Sequence, residues 1–484
     1  MVHQASLPRL LATSSPSRST ARAFTARPVR ATAQRRLLAN DAAAPASRGV
    51  SAAPYPPRAS DTPLERHLRG LVRFRGGPLS VADFMAEVLT HPSLGYYMTR
   101  DVFGTLGDFV TSPEVSQIFG ELLAVWLASL WHQMGRPAKV RLVELGPGRG
   151  TLQADLLRAA SQLQGGLSAA LELHLVEVSP ALRRMQAEKL GCGASAGLVG
   201  EGCSSAAFGG VQVRWHGSLD TVPEGCPIVV LAHEFFDALP VHQFAKTARG
   251  WCERLVDENS ASEEEVEQPS APSASSTSST HAPLRFVLSP GPTPASSLLV
   301  PRRLAALPPG AADACLALEI SPRSMAVWED VARRVAKDGG GALAIDYGAE
   351  GPLNHTLQAI RRHAFVDLLD QVGSADLSAH VDFGALRLAA QPQGVRSYGP
   401  VSQRQLLGAL GISARLQALA RGKSDAEVDA LVAGAERLVG EQDGPGGEGC
   451  TQPGMGLRYQ CLAMVHRDLS APVGFEEAED SSQS

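Results

Sequence analysis

The sequence predicts an α/β fold built on a parallel, doubly wound sheet, and three observations carry that prediction. From Lys139 onward, strand-like runs ("KVRLVEL", "LELHLVEV", "VQVRWHG", "CPIVVLAHEFF") alternate with helix-like runs ("TLQADLLRAASQL", "PALRRMQAEKL"). Alternation at these lengths is the pattern of βαβ units. The strand runs are apolar on both faces, as in a sheet covered on both sides. Finally, the first strand runs through three alternating glycines, "ELGPGRG", into an amphipathic helix. Such a turn lets a ligand approach the backbone closely.

Ahead of this core, the chain changes character twice. Residues 1–40 hold seven arginines, no lysine and no acid, and the first carboxylate is Asp41. Ser, Thr and Ala fill the rest, and no long apolar run is present, which fits a mitochondrial or plastid transit peptide. A basic arm that binds a partner is the alternative. Residues 1–60 are therefore set aside as transit peptide and disordered linker. Residues 61–135 read as a helical segment with an active-site loop. "PLSVADFMAEVLTHP" should be a helix that stops at Pro92. After a glycine-containing loop, Ser112 is expected as N-cap of a second helix, with Pro113 at N1. That helix, through "IFGELLAVWLASLW", is apolar nearly all round and should be buried.

The α/β core is expected over residues 136–468, with two insertions. Residues 257–283 are acidic, then Ser/Pro/Thr-rich, and cannot bury enough apolar surface to order. They lie between two strand-like runs, "GWCERLV" and "PLRFVLSP", so they read as an excursion from a strand connection. A helix from about Pro322 to Ala336 stops at Gly339–Gly341, and the strand "GALAIDYG" follows. Residues 352–440 read as a mainly helical insertion, with a further helix opening at Ser402. "LRYQCLAMVH" closes the core as a late strand, and 469–484 reads as a disordered tail.

Composition narrows the function. A net charge of −5 argues against a general nucleic-acid binder, which needs a basic face. Seven scattered cysteines with no C-x-x-C suggest neither a zinc site nor a disulfide framework, and a reducing compartment fits them. No metal ligand set is expected, and no apolar run is long enough to span a membrane.

The glycine turn points to a cofactor. Gly146, Gly148 and Gly150 form G-x-G-x-G, not the G-x-G-x-x-G of dinucleotide folds. Glu144 precedes them, and a carboxylate there would repel a pyrophosphate. It suits a ligand with a cationic end, and S-adenosylmethionine has an ammonium, a sulfonium and no phosphate. Glu177 ends the second strand, where an acid can accept from both ribose hydroxyls. A dinucleotide or a purely structural turn are the competing readings. After the third strand, Trp215 to Asp220 is a candidate adenine contact, with Trp215 equally placed to be core.

The fourth strand ends in "AHEFFDALP". Glu234 and Asp237 are three residues apart, on one face if a helical turn starts there. Paired carboxylates beside a methyl donor suit a cationic acceptor and could grip a guanidinium bidentately. His233 competes as the base by its ordinary pKa. A helix cap and a structural salt bridge are the plain alternative for the two acids.

At these residues the chain resembles the MidA-like (DUF185) methyltransferases. The matching stretches include "GDFVTSPEVSQIFGELLAVW", "LVELGPGRGTL", "HLVEVSP", "AHEFFDALPVHQF", "GGALAIDYG" and "DLSAHVDFGALR", in order from about Pro78 to about Val465. The resemblance implies a class I, Rossmann-like S-adenosylmethionine-dependent fold. It implies a type II-like protein arginine methyltransferase, symmetrically dimethylating an arginine on a peripheral-arm subunit of complex I in the mitochondrial matrix and needed for complex I assembly. The family's cofactor motif falls on Gly146, Gly148, Gly150 and Glu177, and its post-strand-four motif on Glu234 and Asp237. Asp376, His380 and Asp382 fall on a substrate-side segment, with a structural loop as the alternative. Methylation of another nitrogen acceptor, or a non-catalytic assembly chaperone that keeps the fold, remain the competing functions.

Overall fold

A computed structural model of the chain describes residues 62–99, 110–193, 202–259, 283–441 and 454–475. The proposed transit peptide, residues 260–282 of the excursion and the tail beyond 475 lie outside the described residues. Seven of the nine strands of the main sheet form its body: β1 (Val140–Leu145), β2 (Leu171–Val176), β3 (Gln212–His216), β4 (Ile228–His233), β5 (Gly340–Ala349), β6 (Arg396–Ser402) and β7 (Tyr459–Val465). Their order across the sheet is β6-β7-β5-β4-β1-β2-β3. Neighbours from β5 to β3 run parallel, while β7 lies antiparallel to both β5 and β6. Chain order reverses between β1 and β4, which makes the crevice beyond their carboxyl ends the expected ligand site.

Side-chain alternation explains why these strands read as continuous apolar runs. Leu142, Val229, Leu231 and Leu343 face one core layer, with Trp126 and Leu156. Val143, Val230, Ala342 and Ala344 face the other, with Trp328. Both faces are covered, so most positions are apolar. Six helices matter for the site: α1 (Pro63–Arg75), α2 (Val81–Thr90), α3 (Gln117–Gln133), α4 (Thr151–Gln162), α5 (Pro180–Lys189) and α6 (Pro322–Asp338). In α6 the buried stripe is Trp328, Val331, Ala332 and Val335, at helical spacing. Truncating Trp328 to alanine should cost ~3–5 kcal/mol.

A third core forms beside the main sheet. It joins α1 and α2 (Leu64, Leu68, Phe84, Met85) to Val256 and Leu284 of a five-stranded antiparallel sheet, and to Ala359 and Leu377 of a three-stranded one. Capping fixes the helices at its edge: the side chain of Thr62 accepts from Glu65 N, and Ser80 accepts from Asp83 N. The described residues pack as one compact unit.

Several expectations change. Residues 352–382 are not helical. They form the small sheet of Gln358–Arg361, Ala364–Val366 and Asp376–Ser378, and within 352–440 the stretch Arg396–Ser402 is the core strand β6. Helix resumes at Phe383–Ala390 and then, from an N-cap at Ser402, through Gln403–Ala409, Ile412–Ala420 and Asp425–Val439. Ser112 is not an N-cap. Thr111 caps a one-turn helix, Ser112–Val115, and extended backbone at Ser116 restarts the chain as α3. The excursion is shorter than 257–283, because Asp257 and Glu258 remain in strand, paired with Arg285 and Leu284. One further backbone bond, Asn259 N to Pro283 O at 2.9 Å, closes that hairpin. Residues 469–475 are ordered against the core, where Phe475 is buried. A disulfide joins Cys192 to Cys203, which the scattered cysteine spacing did not signal.

Candidate active site

Beyond the carboxyl ends of β1 and β4 lies a cavity of about 910 Å³. Its walls include Glu144, Gly146, Gly148 and Glu177 on one side and Glu234 and Asp237 on the other. Pockets of this size accept a cofactor-sized ligand with a reacting group beside it.

The turn after β1 is shaped by its glycines. Gly146, Gly148 and Gly150 all have positive φ, at 63°, 53° and 79°. That region is costly for side chains and routine for glycine. At Gly146 an added Cβ would also meet Phe235 Cδ2 at 2.9 Å, so the turn and the segment after β4 touch there. Gly150 plays a different part from the other two. It does not line the cavity, and its left-handed conformation starts α4 as the N-cap. The third glycine is thus a helix starter more than a ligand contact. Gln186 of α5 braces the turn by donating to Gly148 O at 2.7 Å.

Two buried acids frame that turn. Burial pushes the Glu144 carboxyl up to about 8, with the neighbouring Glu177 adding to the rise and Gln153 opposing it. Glu144 Oε2 is buried without a hydrogen-bond partner. Burial also raises Glu177 to about 7, against the N–H of Ser179 and the amide of Gln186. Ser179 N reaches Glu177 Oε1 at 2.8 Å. An orphaned buried carboxyl oxygen costs free energy that a cationic or N–H-bearing ligand would recover. A pyrophosphate would add to the repulsion instead. On this ground the residues fit S-adenosylmethionine. Gly217, Ser218, Leu219 and Asp220 line the same wall, whereas Trp215 is core, fully buried and donating to Gln186 Oε1 at 2.9 Å.

The opposite wall is an acid and tyrosine cluster. Glu234 sits at φ +48°, a conformation sparsely used by side-chain-bearing residues. Holding one residue there costs ~1–3 kcal/mol, and it persists only where neighbours over-determine it. The surrounding bonds do so. Glu234 N donates to Ile345 O at 2.9 Å, and Phe236 N and Asp237 N both donate to Asp346 Oδ2, at 3.0 and 3.2 Å. Ser112 N donates to Glu234 Oε1 at 3.3 Å, which is why the break at Ser116 matters: it brings Ser112 to the site. Tyr347 OH donates to Asp237 Oδ2 at 2.6 Å, and Asp237 Oδ1 is buried without a partner.

Electrostatics follow from burial and crowding. Desolvation first, then the nearby Asp237, pushes Glu234 up to about 8. Asp237 is raised by burial to about 6, with the Tyr347 hydroxyl opposing. Asp346 is held well above the carboxylate range by burial and by both neighbouring acids. His233, the competing base, is buried and pushed down to about 3. Its Nε2 lies 3.2 Å from Glu234 Oε1 but is not aligned for a hydrogen bond, so this is contact with a neutral ring, not an ion pair.

In the "DLSAHVDF" segment, only Asp376 lines the cavity. Asp382 accepts two bonds from Arg303, at 2.7 and 3.0 Å, and caps the following helix. His380 stands edge-on to Tyr347, outside the cavity wall. Asp346, Tyr347, Tyr459, Tyr97 and Ser112 were missed by sequence reasoning. One signal could have found Asp346: like Glu144, it is an acid at the carboxyl end of an apolar core strand, "LAIDYG".

Among the described residues, His67 of α1, Glu87 of α2 and His91, the C-cap of α2, also come together. His91 Nδ1 accepts from the N–H groups of Ser93 and Leu94, at 3.3 and 3.1 Å, which places the ring proton on Nε2. That ring offers a donor where a metal needs a lone pair.

Comparisons with known proteins agree with this geometry. A family profile described as "Putative S-adenosyl-L-methionine-dependent methyltransferase" matches residues 122–401. A relative from Danio rerio named "Protein arginine methyltransferase NDUFAF7, mitochondrial" is 40% identical over 394 residues, 81% of this chain and 84% of that protein. The Mus musculus protein of the same name is 42% identical over 368 residues, 74% and 76% of the two chains. Among solved structures, a Burkholderia thailandensis protein bound to S-adenosyl-homocysteine superposes with a TM-score of 0.64 at 27% identity, covering 87% of this chain and 97% of that one.

Proposed function

The chain belongs to the S-adenosyl-L-methionine-dependent methyltransferase family, and from that premise we propose how its cavity divides the work. It is a mitochondrial protein arginine methyltransferase, as its curated relatives are named. Glu144, the Gly146–Gly148 turn and Glu177 hold the cofactor, and Glu234 and Asp237 hold the acceptor guanidinium. When bound, the cofactor supplies a methyl group on a sulfonium, which becomes a neutral thioether as the acceptor nitrogen takes the methyl.

The chain's own residues handle the rest. A guanidinium carries its charge over three nitrogens, so its lone pair must be localised before it can attack. Two carboxylates on one edge of the fork draw the positive charge toward themselves and leave the attacking nitrogen richer in electrons. Methylation displaces one proton from that nitrogen. Burial keeps Glu234 at about 8, and so protonated near neutral pH without an acceptor. A guanidinium beside it favours the carboxylate, and that carboxylate takes a proton back as the methylated nitrogen releases one. His233, at about 3, is too weak a base for the task. The observation that carries this reading is Glu234 held at positive φ beside Asp237, in the same cavity as the glycine turn.

We take the acceptor to be a peripheral-arm subunit of complex I in the matrix, the product to be symmetric dimethylarginine, and complex I assembly to depend on it. Incubation of the full-length protein with labelled S-adenosylmethionine and unmethylated peripheral-arm subunits should place label on arginine. Label on another nitrogen, or none from a protein that binds the donor, would overturn it. Cells carrying only Gly148→Val separate catalysis from chaperoning, because assembly should fail in them; normal assembly without cofactor binding would favour the chaperone.

A further inference from the structure

A third carboxyl stands at the acceptor end of the cavity. Asp376 opens the strand Asp376–Ser378, opposite Ile360 in the small sheet. It is buried, and it lines the same cavity as Glu234 and Asp237. Two bonds hold it in place. Tyr97 OH donates to Asp376 Oδ1 at 2.8 Å. Ala379 N donates to Asp237 O at 2.9 Å, so the strand carrying Asp376 is tied to the backbone of Asp237 itself. Neither Tyr97 nor Asp376 belongs to the main sheet. The cluster is more than a group of acids, because Asp237 Oδ1 is a buried oxygen with no partner on that wall.

A guanidinium presents five N–H donors in a rigid planar fork. One carboxylate takes at most two of them in a bidentate pair, so Glu234 and Asp237 together leave at least one donor unmet. A buried unmet donor is costly. We propose that Asp376, aimed by Tyr97, receives the ω-nitrogen that is not being methylated, and so determines which product forms. This rests on the arginine methyltransferase reading above.

The consequence lies in the second round. A symmetric product needs the two ω-nitrogens used in turn, so monomethylarginine must bind with its methylated nitrogen on the Asp376 side. That nitrogen keeps one N–H to give to the carboxylate. Ala86, Leu89 and Met98, also on the cavity wall, offer its methyl an apolar surface. An asymmetric product would instead need the methylated nitrogen to stay at the transfer position, away from Asp376. Asp376 is thus a specificity residue in contact with the acceptor, and Tyr97 is a positioning residue acting through it.

The test uses the full-length protein with S-adenosylmethionine and unmethylated peripheral-arm subunits, resolving monomethyl, symmetric and asymmetric dimethylarginine. For Asp376→Asn, the acceptor KM should rise about tenfold with cofactor affinity within about twofold. Its ratio of monomethyl to symmetric dimethyl product should also rise. Tyr97→Phe should shift that ratio the same way by less, and Asp376→Glu should restore part of the symmetric product. The tyrosine variant keeps the inference testable should Asp376→Asn fail to fold. An unchanged ratio, or equal losses in both rounds, overturns the inference. Absence of arginine methylation by the unaltered protein is a separate result, and it overturns the reading on which the inference rests.

Discussion

The two walls of the cavity are built in opposite ways. On the cofactor side, Glu144, Gly146, Gly148 and Glu177 come from two consecutive βα units in the parallel part of one sheet. On the acceptor side, Tyr97, Glu234, Asp237 and Asp376 line the cavity, and Ser112, Asp346 and the Tyr459 side chain hold the Glu234–Asp237 segment from behind. Together these residues come from six well-separated stretches and two different sheets. The first wall is a local motif that any sheet of this order can present. The second exists only when the N-terminal helices, the small sheet and β7 have all docked. Binding the methyl donor therefore asks little of the rest of the chain, and choosing the acceptor asks a great deal.

The strongest way to break that contrast is at Gly148. With φ at 53°, valine there is a backbone outlier at the ligand turn. Gly148→Val should weaken S-adenosylmethionine binding by more than about 100-fold, read by calorimetry, since β-branched residues at positive φ strain the loop. Binding within tenfold of the unaltered protein would detach the turn from the cofactor. Next, Glu234→Gln should lower kcat by about 10²–10³-fold while cofactor affinity stays within about threefold. An equal collapse of cofactor affinity would mean that the two walls are not separable.

A third, smaller effect is in pH dependence. Glu234 has its carboxyl raised from 4.5 to about 8 in the folded chain, so the folded state holds a proton that the unfolded state has released. Stability contributed by this group is therefore lost as pH rises from about 4.5 to about 8. The difference in stability between the unaltered protein and Glu234→Gln should fall across that window, by at most about 1.4 kcal/mol per pH unit. Denaturant titrations at several pH values would check the sign, and a rising difference would contradict the burial argument. Smallest of all, Gly150→Ala should cost ~1–2 kcal/mol in stability through its left-handed conformation. Its cofactor affinity should hold within about twofold, since Gly150 starts α4 and lies off the cavity wall.

The same contrast explains what the sequence made legible. The glycine turn, Glu144, Glu177 and the strand–helix alternation are short-range patterns, and they could be read directly. Glu234 and Asp237 could be located, but not the positive φ that turns Glu234 inward, because nothing in "HEFF" announces it. Phe383–Ala390 is helical as expected, whereas residues 352–382 depart from the helical expectation for a specific reason. Their hairpin turns on Arg362 and His363, at φ 52° and 61°, where two-residue turns are ordinarily signalled by Asn-Gly. With that signal missing, the leucines, alanines and arginines nearby favour helix, and pairing with Asp376–Ser378 overrides them. Tyr97 and Asp376 meet across 279 residues of chain, a distance no spacing rule covers.

The hairpin of Gly250–Glu258 and Leu284–Leu288 has a practical meaning. Its register is complete up to Asp257 and Glu258 against Arg285 and Leu284, and the Asn259 to Pro283 bond closes it like a clasp. The pairing of the two strands is thus made among the described residues. A two-residue Asn-Gly link in place of residues 260–282 should leave melting temperature and methyl transfer unchanged. By the same logic, the position is a natural port for splicing in a fluorescent reporter or an affinity handle, with the acceptor wall left untouched.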